Sequence, residues 1–196
     1  MVPLDRILSA VASHEPEVLP EPPAWQAATA LILTEDASVA GPSLLFIERT
    51  SRPGDRWSGQ MAFPGGKRDA ADPDLAETAR RETLEEVGIE LDDPVGRLDD
   101  VHGRGPLPGV VAPFVFSLPE RPQLRIEPRE VESAVWIPLA HALSGDNAVR
   151  YRYRGLGPFP GIRFDRYTVW GLTHGILTDF CRVIGEELPR PRFTVG

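Results

Sequence analysis

The stretch Gly65-Gly66-Lys67, followed after a loop by Arg81-Glu82-Thr83-Leu84-Glu85-Glu86-Val87-Gly88-Ile89, decides the reading of this chain. In a helix turning roughly 100° per residue, Glu82, Glu85 and Glu86 fall within one arc of about 100°, and Ala76, Ala79, Thr83 and Val87 form the adjacent core-facing stripe. Glu82 and Glu86 are like charges four residues apart, a pairing that costs about 0.2–0.5 kcal/mol. They also stand at the negative end of the helix dipole, just ahead of Gly88, which costs each roughly 0.3–1 kcal/mol more. A divalent cation offsets this most directly, because hard ions such as Mg²⁺ take oxygen ligands and a helix face supplies several at fixed spacing.

The flanking residues sharpen the reading. Gly66, Arg81, Glu82, Glu85, Glu86, Gly88 and the apolar Ile89 resemble the signature of the Nudix hydrolases, a loop, helix and loop built on an Arg-Glu-x-x-Glu-Glu-x-Gly core. The loop after Gly66 is one residue longer than the family's usual spacing. Its usual acid is changed, with Asp72 the best substitute and Asp69 nearby. Upstream, Leu45-Phe46-Ile47-Glu48-Arg49-Thr50, then Gly59 and Phe63-Pro64-Gly65-Gly66, is similar to the additional motif of the coenzyme A diphosphatases. That group carries an arginine where this chain has Asp55, with Arg56 next to it, and often a histidine where Trp57 stands. Thr78-Ala79 and Tyr167-Thr168-Val169-Trp170-Gly171-Leu172-Thr173 extend the resemblance, which covers roughly residues 27 to 180.

The 196 residues, 41% hydrophobic, suffice for one core of ordinary size. A net charge of −8 opposes general affinity for nucleic acid, whose phosphates demand basic surfaces, while a small anionic nucleotide substrate can still bind through local arginines and metal. Cys181 is the only cysteine, so no intramolecular disulfide forms, and it reads as a small core residue. The start shows neither a signal peptide nor a membrane span, so the expectation is a cytoplasmic protein without membrane association, monomeric or homodimeric.

Residues 1–26 read as a short helix, Leu4 to Ala12, and a proline-rich arm, Pro16 to Pro23, packed on or leading into a domain of residues 27–196. Ala27 to Leu33 and Ser43 to Glu48 read as neighbouring strands across the Ala40-Gly41-Pro42 turn, and Val110 to Phe116 and Ala134 to Ile137 as further strands. Pro73-Asp74-Leu75 opens the acidic helix, with Asp72 as N-cap. Val149 to Tyr153 and Ile162 to Tyr167 suggest a late hairpin around Gly155-Leu156-Gly157-Pro158, and Trp170 to Glu187 a closing helix ended by Pro189. Strands and helices so mixed indicate a mixed sheet between helices. The resemblance makes this the Nudix α/β/α sandwich.

Hydrolysis of a P–O–P linkage needs an activated water and charge neutralisation on the phosphoryl oxygens. Glu82, Glu85 and Glu86 are assigned to Mg²⁺ or Mn²⁺, with Glu86 the best single ligand and Glu82 a ligand or base by resemblance. Arg81, four residues from both Glu77 and Glu85, holds a carboxylate in position. Gly65 and Gly66 let the backbone approach a ligand, Arg49 is first choice for the diphosphate, and Arg56, Lys67 and Arg68 are weaker candidates. Many Nudix enzymes bring another glutamate to the metal or the water. Glu130, followed by Val131, best fits that position in the coenzyme A group, with Glu132 close behind. His14, His102, His141 and His174 lack ligand spacing and are assigned to no chemistry. The resemblance therefore implies a metal-dependent diphosphatase acting on coenzyme A or a derivative. Two alternatives stand beside it: a Nudix hydrolase of ADP-ribose, a dinucleotide or an oxidised nucleotide, and a non-catalytic Nudix ligand-binding module.

Overall fold

Strand β1 (Trp25–Glu35) alternates between two cores, which is why its sequence reads as a nearly unbroken apolar run. Ala27, Leu31 and Leu33 face one cluster, and Ala28, Ala30 and Ile32 the other. The computed structural model describes residues 2–20, 24–35, 41–52, 57–103 and 109–191. Arg56 and Asp55 lie outside these.

Strand β2 (Pro42–Arg49) pairs antiparallel with the far end of β1, Leu33 opposite Leu44. The short strands β3 (Met61–Ala62) and β4 (Gly65–Lys67) join the sheet on β2 and β1, with Ala28 opposite Gly66. After helix α2 (Leu75–Val87) come β5 (Gly96–Arg97) and β6 (Val101–Gly103). Both pair with β7 (Gly109–Leu118), which runs parallel to β1 along its whole length. Strand β8 (Val131–Pro138) closes on β2 and leads into the single turn α3 (Leu139–Ala142).

Helix α2 covers one face, placing Ala79 and Val87 against Ala28, Ala30 and Ile32, where small strand residues let it lie close. Helix α1 (Leu4–Ala12) and the closing helix α4 (Gly171–Val183) cover the other, with Ile7, Val11, Ile176, Leu177 and Phe180 packed on Leu31, Leu33 and Phe46. This is the expected α/β/α sandwich with a mixed sheet. Cys181 is fully buried on α4, its thiol pushed up to about 12 by burial, as befits a core residue. The segment after α1 is fastened to the body by Asp99 and Asp100, which accept from His14, the Glu17 N–H and the Leu19 N–H.

Three expectations are corrected. Asp72 is not the N-cap of α2: Asp74 takes that place, accepting the Glu77 N–H at 2.8 Å, because Asp72 turns inward to Thr78 and Arg81. The late hairpin is a three-stranded meander of β9 (Ala148–Tyr153), β10 (Leu156–Phe164) and β11 (Tyr167–Trp170), since the chain reverses at Asp165, φ 50°, inside what read as one strand. Helix α4 stops at Val183, ahead of Gly185 at φ 77°, rather than at Glu187.

Candidate active site

Glu86 sits in the last turn of α2 on the buried stripe rather than beside it, with 1% of its surface exposed. Its Oε2 accepts the Gly65 N–H at 2.8 Å, and its Oε1 lies 3.9 Å from an Arg49 Nη. Burial pushes its carboxyl up to about 8, against the opposing pull of the Gly65 N–H and Arg49 and with the charges of Glu82 and Glu130 adding to the rise. Glu82, half-buried, is also raised by burial, offset by Arg81. Oxygens of Glu82, Glu86 and Glu130 lie within 4.8 Å of one another. A carboxylate held back from ionising chiefly by burial, with two further carboxylates beside it, is a donor set suited to a hard cation, which would restore the ionised form of Glu86.

The two glycines are required by what they touch. A Cβ on Gly65 would lie 2.2 Å from the Ala28 carbonyl oxygen, and its φ of 147° excludes most side chains. A Cβ on Gly66 would lie 2.5 Å from the Glu82 carboxylate. Strand β4 is thus pressed between β1 and the acidic face of α2.

Arg81 binds Asp72 in bidentate fashion, through Nε at 2.9 Å and Nη2 at 3.0 Å. Its remaining donors reach Glu82 at 2.9 Å, Glu85 at 3.1 Å and the Lys67 carbonyl at 3.0 Å. Glu85 is the partner expected of it. Glu77 is not, because Arg80, three residues on, pairs with Glu77 and leaves Arg81 to face the loop. Asp72 is buried and also accepts the Asp69 N–H and the Thr78 hydroxyl, and Arg81 holds its carboxyl well below the usual carboxylate range.

These groups border a polar cavity of about 290 Å³ that gathers Arg49, Gly65, Gly66, Lys67, Glu82, Glu85, Glu86 and Glu130. Glu85 stands at its rim, its side chain 55% exposed. Of the other candidates of the sequence reading within the described residues, Arg81, Arg68, Glu132 and the loop acids Asp69 and Asp72 do not line this cavity, and Arg81 and Arg68 buttress the loop beside it. None of the four histidines lines it.

Sequence reasoning missed Thr50 and Arg52, which also border the polar cavity. It missed as well an adjoining apolar cavity of about 490 Å³, walled by Trp25, Trp57, Met61, Phe63, Leu172 and Ile176 and joined to the first through Arg49, Gly65, Gly66 and Lys67. The Trp25 ring lies on Gly103 and Gly109, where a Cβ on either would come within 2.0 Å of it. Nothing local marks this cavity, whose walls come from β1, β3, β7 and α4. The available signal was a tryptophan at a strand start with glycines at the ends of its future neighbours.

A mixed sheet between helices, with a buried glutamate under a glycine strand, is the setting in which the NUDIX domain model matches residues 24–154. The chain belongs to the Nudix hydrolase family. It is 40% identical over 159 residues, 69% of its length, to an uncharacterized protein of Schizosaccharomyces pombe, and spans about half (48%) of that protein. It is 37% identical over 162 residues to the mitochondrial coenzyme A diphosphatase NUDT8 of Homo sapiens, covering 78% of this chain and 67% of the other. Among solved structures, a MutT/nudix family protein from Enterococcus faecalis superposes with a TM-score of 0.57 at 15% identity, over 93% of this chain and 70% of that one, a likeness of fold.

Proposed function

We propose that the protein hydrolyses the diphosphate linkage of coenzyme A or a derivative, giving 3′,5′-ADP and 4′-phosphopantetheine. The observation that carries this is the junction of the two cavities. A carboxylate cluster suited to a diphosphate-bound cation opens, past Arg49 and Lys67, onto an apolar chamber sized for an uncharged arm of the substrate. The similarity to coenzyme A diphosphatases supports the choice.

Glu82, Glu86 and Glu130 would hold Mg²⁺ or Mn²⁺, with Glu85 at the rim as a further ligand. Once bound, the cation supplies charge neutralisation on the phosphoryl oxygens and an acidified water. Arg49 and Lys67, with Arg56, bind the diphosphate. Arg81 fixes Glu82 and Glu85, and Gly65 orients Glu86 through its N–H. Glu82 or Glu130 accepts the proton of the attacking water. We place the activity in the cytoplasm, on a small-molecule substrate, in a monomer or homodimer.

The tryptophans of the apolar cavity also suit a stacked base, which favours a second reading: hydrolysis of another nucleoside diphosphate derivative. Chromatography after incubation with coenzyme A and Mg²⁺ or Mn²⁺ separates the two. The first expects 3′,5′-ADP above a metal-free control. Its absence, alongside ready cleavage of ADP-ribose or a dinucleotide, establishes the second.

A further inference from the structure

Three successive carbonyls of the turn that enters β8 are captured by one short segment at the end of β2. The Thr50 hydroxyl donates to the Pro128 carbonyl at 3.3 Å, an Arg52 Nη donates to the Arg129 carbonyl, and the Thr50 N–H donates to the Glu130 carbonyl at 2.9 Å. On its other flank the turn hangs from the end of α2. The Glu127 N–H donates to the Glu86 carbonyl at 3.0 Å and the Arg125 N–H to the Val87 carbonyl at 2.9 Å. Among the described residues no side-chain hydrogen bond holds the exposed Glu130 carboxylate. Its position beside Glu82 and Glu86 is therefore set by the backbone of a turn slung between α2 and residues 50–52.

Residues 50–52 are themselves fixed. The Arg52 N–H donates to Ser58 Oγ at 2.8 Å and the Ser58 hydroxyl donates back to the Arg52 carbonyl at 2.9 Å, which ties Arg52 to a buried serine. Arg49, the preceding residue, borders both cavities. The segment thus lines both cavities with Arg49 and grips the Glu130 turn with Thr50 and Arg52.

We propose that Thr50 and Arg52 are positioning residues that hold the Glu130 carboxylate opposite Glu82 and Glu86, so that the segment meeting the substrate through Arg49 also sets where the third carboxylate stands. This rests on the reading of the carboxylate cluster as a cation site. Arg52 also borders the polar cavity, so a role through Glu130 must be distinguished from direct contact with phosphate. Partners that act as a unit are non-additive, and independent ones add.

The test is a double-mutant cycle of Arg52→Ala with Glu130→Gln, read first as Mn²⁺ affinity by electron paramagnetic resonance without substrate, then as kcat and KM on whichever diphosphate the enzyme cleaves. Loss of a group orienting a ligand costs about tenfold in metal affinity or turnover. We expect Arg52→Ala to weaken Mn²⁺ binding and lower kcat by about that factor, with the substrate KM little changed, and to add less than about twofold in the Glu130→Gln background. Arg52→Lys, which keeps a donor for the carbonyl, should recover most of the loss, and Thr50→Val should act in the same direction more weakly. Full additivity with Glu130→Gln, or a loss confined to the substrate KM, overturns the proposal. The Mn²⁺ arm needs no substrate, so it decides the positioning role even if coenzyme A is not cleaved.

Discussion

Glu86 joins two demands that oppose each other: it is nearly inaccessible, and the cation ligand proposed for it must be ionised. In the metal-free protein its carboxyl is raised from 4.5 to about 8, so the folded state binds a proton that the unfolded state has released between those values. The Glu86 contribution to stability is therefore fully present below about pH 4.5 and is lost as pH rises through about 8. Thermal melts of metal-free protein across that window should show the decline, and Glu86→Gln should flatten it. The same variant, folded, should lose at least about a hundredfold in kcat/KM at saturating Mg²⁺. Turnover within threefold of the parent would remove Glu86 from the chemistry. Asp72 titrates with the opposite sign. Its carboxyl is lowered by Arg81, so its contribution is present above the ordinary carboxylate range and is lost as pH falls. Asp72→Asn leaves a partly buried guanidinium short of its bidentate partner, costing about 3 kcal/mol, or about 6–12 °C in melting temperature at this chain length. It should also slow turnover, since Arg81 holds Glu82 and Glu85. A melting temperature unchanged within about 2 °C would show the pair to be solvated rather than structural.

Strand β4 and helix α2 show how two adjacent glycines do different work. At Gly65 an added methyl meets main chain, the Ala28 carbonyl of β1, and nothing there can swing aside. At Gly66 it meets the end of the Glu82 side chain, which can. Gly65→Ala should therefore lose several kcal/mol of stability, while Gly66→Ala should melt within a few degrees of the parent and lose activity by displacing Glu82. Calorimetry and steady-state kinetics on the pair separate the effects. Equal melting temperatures for both would mean that β4 can move away from β1 to admit the methyl group. The acidic helix was the most legible element in the sequence, because its carboxylates, its glycine stop and its apolar stripe are all local. Its start was misplaced by two residues because Asp72 looks like a cap until Arg81, nine positions away, is seen to claim it. The β10–β11 turn escaped notice because Asp165-Arg166 carries neither glycine nor proline.

At the scale of the molecule, the cation is expected to act on the fold as well as on the reaction. A ligand present at a hundred times its Kd and bound only by the folded form stabilises by about 2.7 kcal/mol. Mg²⁺ or Mn²⁺ should raise the melting temperature of the parent, and a Glu82→Gln, Glu86→Gln double variant should not respond. Equal shifts in both proteins would move the cation site elsewhere. The sandwich and Glu130 were legible only through the family resemblance, while Glu82, Glu85 and Glu86 could be read from the chain because they belong to one local helical pattern. The apolar cavity could not, since Trp25, Trp57 and Ile176 meet only after β1, β3 and α4 are assembled. That assembly bears on how such a protein diverges. The acidic half of the site is locked on three sides by β1, β4 and α2, where even a methyl group collides. The opposite wall, from Trp57 to Phe63 and along Leu172 to Ile176, is lined mostly by large apolar side chains. Given the proposed site, descendants of this sequence can exchange one substrate for another by drifting along that wall while the carboxylate cluster stays unaltered.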